Sequence, residues 1–483
     1  MTNGRVFLVG GGPGDVKLVT VKGKEALEKA DVIVYDRLIN PKLLDYAKPD
    51  CELIYGGKLP KRHIMRQEQI NDLLVAKAKE GKTVVRLKGG DPSIFGRVGE
   101  EAAQLTSEGI SYEIVPGITS GVAAPVYAGI PVTHRDYGTS FTVVTAHGNA
   151  SNGQPKVDWK SLKGIDTIAF YMGISNLSFL SENLIQHGKS PDTPVILLQW
   201  GTYSRQKSLE GTLATIASQA KAINFQNPAI ILVGDIVKIR DKMNWFESKP
   251  LFGRQIIVAR TSNGASRLAT TLEEQGADVI MFPKWKKELA SINSAQIQKL
   301  IGYDSILFQS PDSVDTFLQT IVADGIDARE IKATFYVQSV KSQRALQQRG
   351  FQATITKWED IPMENLLVVK EEYASNKENK LTDYDVWITS YKSIDDQYKQ
   401  VFNHMLESMT LDTIVFPSSA SLEAFIDGCN RFGMEVDSFI KGLTVACLGN
   451  YTQQALESRG ISVDILPSVP SVDDFIQCLI EER

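Results

Sequence analysis

Cysteine is scarce and unpatterned in this chain of 483 residues. Its four cysteines, Cys51, Cys429, Cys447 and Cys478, form no Cys-x-x-Cys pair. No disulfide framework and no metal site is expected, and a cytoplasmic, reducing location fits. Long apolar runs are also missing: none approaches the ~20 residues of a membrane span, so no membrane partner is expected. The opening Met1-Thr2-Asn3-Gly4 leads into a β-rich run without a signal-peptide pattern. Basic residues do not exceed acidic ones. With 52 Lys and Arg against 57 Asp and Glu, the net charge is −5, which argues against a nucleic-acid partner. A dinucleotide fingerprint is absent too. Gly10-Gly11-Gly12-Pro13-Gly14-Asp15 has a different spacing, and Pro13 lacks the N–H a phosphate cradle would use.

What is present is ordinary globular composition, 43% apolar and 23% charged. The length exceeds one core, so two to four domains are expected. The most informative stretch is Leu87-Lys88-Gly89-Gly90-Asp91-Pro92-Ser93-Ile94-Phe95-Gly96-Arg97. It follows an apolar run from Thr83 that reads as a strand, and Glu100 and Glu101 open a helical pattern after it. Paired glycines let the backbone turn sharply and leave room for a ligand, although a plain turn has the same composition. Arg5 to Val9, Asp31 to Tyr35 and Cys51 to Tyr55 are further strands, and Thr20 caps a helix through Ala30. Asp36, Lys58 and Asp91 each lie just past a strand end, the edge where a parallel sheet keeps its site. After residue 135 the period changes. Phe141 to Thr145, Thr167 to Met172, Pro194 to Trp200 and Pro228 to Val233 read as strands of a second α/β lobe.

By their order, several motifs resemble the tetrapyrrole methylases: Gly10 to Asp15, Tyr35-Asp36-Arg37-Leu38, Leu87 to Arg97, Val115-Pro116-Gly117-Ile118-Thr119-Ser120, Gly129 to Arg135 and Tyr171-Met172-Gly173. Within that family the nearest pattern is that of the uroporphyrinogen-III C-methyltransferases, over residues ~4–246. Their reaction gives precorrin-2, with methyl groups taken from S-adenosylmethionine. The resemblance implies that Pro13, Gly89, Gly90, Asp91, Ile94, Thr119, Ser120, Met172 and Gly201 hold this cofactor. It places a proton acceptor at Asp36 and a donor at Lys58. Methylating a pyrrole carbon leaves a cationic ring that must lose a proton, which suits a nearby carboxylate. Plainer readings stand beside these: an Asp36–Arg37 ion pair at a solvated strand end, and Met172 as core filling. Lys58, Lys61, Arg62, His63 and Arg66 would attract the eight carboxylates of uroporphyrinogen. Two positions depart from the family pattern. Ala146 stands in Val144-Thr145-Ala146-His147 where a Gly is usual, and Leu59 follows Lys58 where an Arg is usual.

Residues 247–253 read as a short polar linker, and a new α/β pattern begins at Arg254. Strands are expected at Gln255 to Ala259, Val279 to Phe282, Ser305 to Phe308, Thr334 to Val337, Leu366 to Val369, Thr413 to Phe416 and Thr444 to Leu448. A helix is expected from Ala265 to Gln275. Ser305-Ile306-Leu307-Phe308-Gln309-Ser310 parallels Thr413-Ile414-Val415-Phe416-Pro417-Ser418-Ser419, and Lys341 to Leu346 parallels Tyr451 to Leu456. This internal repeat implies two similar lobes. The pattern resembles uroporphyrinogen-III synthase over residues ~254–483. Its substrate, hydroxymethylbilane, would be bound through hydroxyls and backbone N–H groups, with Ser310, Ser419 and Thr452 as candidates. The commoner role for each of these is a simple helix cap.

The resemblances together imply an α/β chain, a two-lobed tetrapyrrole methylase followed by a two-lobed α/β synthase domain. The divisions expected are 1–246 (lobes about 1–135 and 136–246), the linker 247–253, and 254–483 (lobe 254–284 plus 389–483, lobe 288–386). Passages near 283–288 and 384–390 would join the last two lobes. The implied function is bifunctional: closure of hydroxymethylbilane to uroporphyrinogen III, then its C-methylation by S-adenosylmethionine. Two alternatives stay open, a methylase fused to a degenerate, non-catalytic tetrapyrrole-binding module, and a methylase of a later corrin intermediate. Whether the product feeds sirohaem or cobalamin is also open. The resemblance further implies small-molecule substrates and a homodimer through the methylase half.

Overall fold

The computed structural model describes residues 4–57, 65–148, 155–290, 294–374 and 383–482. One compact unit comprises Met1–Arg260, Gly264–Phe282 and Gln397–Arg483, and a second comprises Thr261–Asn263 and Pro283–Asp396. No helix among the described residues is long and apolar enough to cross a membrane.

The first unit opens with a parallel sheet in the order Glu52–Tyr55, Val32–Tyr35, Thr83–Lys88, Arg5–Gly10, Ser111–Val115. Parallel strands covered on both faces are nearly continuous apolar runs. Val32, Ile33, Val34 and Tyr35 are accordingly all buried. Thr83–Lys88 breaks that rule by carrying two charges, Arg86 and Lys88, into the interior. The next sheet runs Phe141–Thr145, Thr167–Tyr171, Ala229–Val233, Pro194–Gln199, Lys207–Thr212. Only its first pair is parallel. Lys207–Thr212 was not expected, because its Lys-Ser-Leu-Glu-Gly-Thr sequence has little β-propensity. Its place at the sheet edge suits its charges. A third, parallel sheet joins Asp278–Phe282, Gln255–Ala259, Thr413–Phe416 and Thr444–Cys447.

Residues 247–253 form a packed connection instead of a free linker. Leu251 is fully buried, and its N–H donates to the Gln275 carbonyl. The N–H of Gly253 donates to Ser204 Oγ, 2.8 Å away.

The second unit is built on one six-stranded sheet, ordered Trp285–Leu289, Asp385–Ile394, Leu366–Tyr373, Ser305–Phe308, Thr334–Val337, Thr354–Ile355. The expected connecting passages near 283–288 and 384–390 are themselves strands, paired antiparallel from Trp285↔Ile394 to Leu289↔Ser390. This pairing places residues 283–396 together in the second unit. The reason they escaped notice is chemical. Trp-Lys-Lys-Glu-Leu reads as a polar loop, yet charged residues are what an edge strand carries.

The internal repeat appears as a repeated local device. Ser310 caps the helix Pro311–Ala323 in a reciprocal capping box with Ser313. Ser418 caps the helix Ser419–Phe432 in the same way with Ser421. Two helix starts further on, Ser339 and Gly449 occupy the cap positions, and Ser342 and Thr452 lie buried three residues later.

Glycine tolerance gives a direct test of the first unit. A Cβ on Gly201 would collide with the Ala124 side chain, whereas one on Gly99, in the helix Val98–Ser107, meets nothing within 4 Å. Gly201→Ala should therefore lower unfolding free energy by about 1–3 kcal/mol in urea titration, as overpacking does. Gly99→Ala should raise it by about 0.5–1 kcal/mol, the helical gain of losing a glycine.

Candidate active site

Three loops at strand C-terminal ends meet in the first unit. The N–H of Gly12 donates to the Gly90 carbonyl at 3.1 Å, and the N–H of Gly90 returns to the Gly12 carbonyl at 2.7 Å. A Cβ on Gly10 would lie 2.6 Å from the Gly117 nitrogen, and one on Gly117 would lie 2.9 Å from Gly10 Cα. Only glycine permits this approach. Asp91 braces the same junction. Its Oδ1 accepts from the Ser93 N–H at 2.7 Å and from the Ser93 hydroxyl, and its Oδ2 accepts from the Gly117 N–H at 3.1 Å.

These loops border a cavity of about 1140 Å³. A single small-molecule site usually takes roughly 300–1,000 Å³, so there is room here for a cofactor and a substrate together. All nine residues of the cofactor set, Pro13, Gly89, Gly90, Asp91, Ile94, Thr119, Ser120, Met172 and Gly201, line this one cavity, and so does Asp36. Gly90 has φ +68°, and a Cβ there would clash with nothing, its nearest neighbours being the Ser120 nitrogen at 3.8 Å and Thr119 Cα at 3.9 Å. Met172 is 46% exposed at φ 55°, so it is cavity wall and not core filling. Phe95, Arg97 and Trp200, which also line the cavity, share this left-handed conformation. Backbone strain of this kind collects at ligand sites. The Tyr171 hydroxyl, 2.6 Å from both Thr119 Oγ1 and the Gly121 N–H, fastens the start of the helix Ser120–Tyr127 beside it. Lys58 lies outside the described residues.

Asp36 does not pair with Arg37. Its Oδ1 accepts from Arg86 Nη2 at 2.6 Å. Arg86 is 2% exposed, and its Nε donates to Glu101 Oε1 at 3.1 Å. Lys88 Nζ reaches the same Glu101 oxygen at 2.8 Å, and Gln67 Nε2 donates to it at 3.1 Å. Two anions and two cations thus form one neutral chain from the interior to the cavity. Burial lowers the Lys88 pKa, with Arg86 adding to the effect, while Glu101 and Asp36 oppose it. Arg86 and Lys88 were legible only as charges inside an apolar run. Glu101 was noted as a helix start, and nothing in its spacing linked it to them.

In the second half, Ser310 is a helix cap whose Oγ also lies 3.3 Å from Glu371 Oε2. Ser419 is not the counterpart of Ser310. The capping hydroxyl belongs to Ser418, and Ser419 is the first helical residue, exposed to solvent. Thr452 is 5% exposed. Ser310 belongs to the second unit, Ser419 and Thr452 to the first.

Strand-end glycine loops, a large cavity and a carboxylate held at its wall define an α/β enzyme acting on small molecules. Residues 5–217 match the family described as Tetrapyrrole (Corrin/Porphyrin) Methylases, and residues 371–477 match Uroporphyrinogen-III synthase HemD. Along 451 residues the chain is 44% identical to a Uroporphyrinogen-III C-methyltransferase of Bacillus subtilis (strain 168), covering 93% of this chain and 92% of that one. It is 33% identical over 509 residues to the Porphyrin biosynthesis protein HemD of Ruminiclostridium josui, covering 100% and 98%. A Uroporphyrinogen-III C-methyltransferase of Priestia megaterium is 54% identical over 235 residues, 48% of this chain and 98% of its own. The chain belongs to the tetrapyrrole methylase family, in a form extended by a uroporphyrinogen-III synthase region.

The charge chain makes a quantitative prediction. Glu101 is fully buried and pairs with two cations, and its Oε2 has no hydrogen-bond partner among the described residues. Glu101→Gln would strand Arg86 and Lys88 with one carboxylate between them. The expected loss is about 3–5 kcal/mol of unfolding free energy, the cost of breaking a buried pair from one side. Denaturant titration measures it.

Proposed function

We propose that the first half C-methylates uroporphyrinogen III to precorrin-2 and that the second half closes hydroxymethylbilane to uroporphyrinogen III. The observation that carries this reading is the single cavity lined by all nine cofactor-set residues together with Asp36. S-adenosylmethionine is the cofactor, and when bound it supplies an electrophilic methyl group. The open space beside Gly90 and the small lining residues Gly89, Ser120 and Gly201 admit it against backbone. Met172 adds an adaptable apolar contact.

Asp36 takes the proton that the cationic ring must lose once a ring carbon is methylated. Arg86 engages Oδ1, so Oδ2 receives it. Because Arg86 is itself anchored on Glu101, the Asp36 carboxylate keeps its position as charge develops. Such preorganisation is what general-base catalysis needs. For the second half, the support is the synthase match over residues 371–477 and the repeated capped helix starts. The cytoplasmic location and the homodimer through the first half belong to the same reading, and the family resemblance supports them.

The test uses the full chain with hydroxymethylbilane, with and without S-adenosylmethionine. Without it, oxidised products should be the III isomer of uroporphyrin. With it, dimethylated product should accumulate. Asp36→Asn should keep cofactor binding yet slow methylation by about 10²–10⁴-fold, the usual contribution of a general base. Appearance of only the spontaneous I isomer would remove the synthase assignment. Normal methylation by Asp36→Asn would remove the base assignment.

A further inference from the structure

The cavity wall is not built from the first half alone. Glu407 lines it, and Glu407 stands on the helix Tyr398–Ser408, which follows the first half by 150 residues and more. This helix buries Tyr398, Val401, Phe402 and Met405. Phe402 anchors it by stacking on Phe282, with ring centroids 4.4 Å apart. The buried stripe also includes a polar residue, His404, which is 5% exposed. A packing helix has no need of an imidazole there.

His404 sets its ring against two tyrosines of the first half, 6.2 Å from Tyr35 and 5.0 Å from Tyr55 between centroids. Its Nε2 lies 3.1 Å from the backbone carbonyl of Arg37. A carbonyl can only accept, so the proton sits on Nε2. Burial lowers the pKa of the ring, which keeps it neutral at pH 7. The helix therefore holds the residue immediately after Asp36. It reaches the cavity by another route as well. Ser408 Oγ lies 3.5 Å from Arg205 Nη2, and the Arg205 guanidinium sits 4.6 Å over the ring of Trp200, a lining residue.

We propose that the helix Tyr398–Ser408 is a working wall of the methylation site, with Glu407 determining substrate orientation and His404 positioning the Asp36-Arg37 turn. This rests on the reading of the first half as a methylase of uroporphyrinogen III. The chemistry follows from the substrate's two faces. Its rim carries carboxylates, and its interior carries pyrrole N–H groups. A carboxylate side chain repels the rim and accepts only from the N–H groups. Glu407 thus favours the pose in which the N–H face turns toward the helix. Arg37 and Arg97, which line the same cavity, suit the carboxylate rim. His404 does not touch substrate. It acts through the Arg37 carbonyl on the placement of Asp36.

The test is steady-state kinetics of the full chain with uroporphyrinogen III and S-adenosylmethionine. Glu407→Leu should raise KM for uroporphyrinogen III by about 10-fold, the loss of one charged hydrogen-bond acceptor. KM for S-adenosylmethionine should stay unchanged, and Glu407→Gln, which keeps an acceptor, should recover part of the loss. His404→Leu should lower kcat by about 10-fold through misplacement of Asp36. His404→Gln, which keeps a donor, should restore it. Conversion of hydroxymethylbilane by each variant reports that the chain is folded. Should His404→Leu unfold, Glu407→Leu decides alone, since its side chain is exposed to the cavity. Parent KM and kcat in every folded variant, or equal rises in both KM values, would overturn the proposal. If the unaltered chain fails to methylate uroporphyrinogen III at all, the function reading has failed instead.

Discussion

One buried ion network sets the terms for the first half. Arg86 and Lys88 enter a parallel strand where apolar side chains belong, and Glu101 meets both inside the core. Desolvating an isolated charge costs several kcal/mol, so none of these groups is tolerated without the others. Their mutual satisfaction leaves Arg86 one hand free, and that hand holds Asp36 at the cavity wall. The half-buried carboxylate is thus fixed from the inside of the protein, not by solvent-exposed neighbours. Stability and the placement of Asp36 rest on the same residues. The folding penalty of a charged core is offset only while the chain of pairs stays complete.

A second constraint is backbone proximity. Gly10, Gly90 and Gly117 come from three separate strand ends, and side chains at Gly10 or Gly117 would force them apart. The resulting junction is dense enough for Asp91 to hold two of the loops with one carboxylate. The cavity wall at this junction is therefore made of backbone and small residues, with rigidity supplied by hydrogen bonds behind it.

Much of this was legible in the sequence where local chemistry decides. Apolar runs ending in Gly-Gly-Asp or Tyr-Asp-Arg marked the strand ends of the first sheet, and the motif residues of that sheet converge on one cavity because its parallel strands deliver their C-terminal ends to one edge. What escaped depends on partners far apart in the chain. Asp36 and Arg86 are 50 residues apart, and His404 and Arg37 are 367 apart. No spacing rule links such pairs. Trp285–Leu289 was hidden for another reason. Its charges suit an edge strand as well as a loop, and only pairing with Asp385–Ile394 distinguishes the two. Ser418 and Ser419 both follow Pro417, and the capping hydrogen bond alone separates them.

The central claim is that the Gly89-Gly90-Asp91 loop and the wall facing it form the cofactor site. Calorimetric titration of S-adenosylhomocysteine into the protein and its Gly90→Val variant addresses it most directly. Valine at φ +68° strains the backbone by about 1–2 kcal/mol, small beside a domain's stability of roughly 5–15 kcal/mol, so the lobe stays folded. Its side chain would occupy the space in front of the Ser120 nitrogen. The account predicts binding by the parent chain and none by Gly90→Val, with hydroxymethylbilane conversion retained. Unchanged affinity in the variant would contradict it.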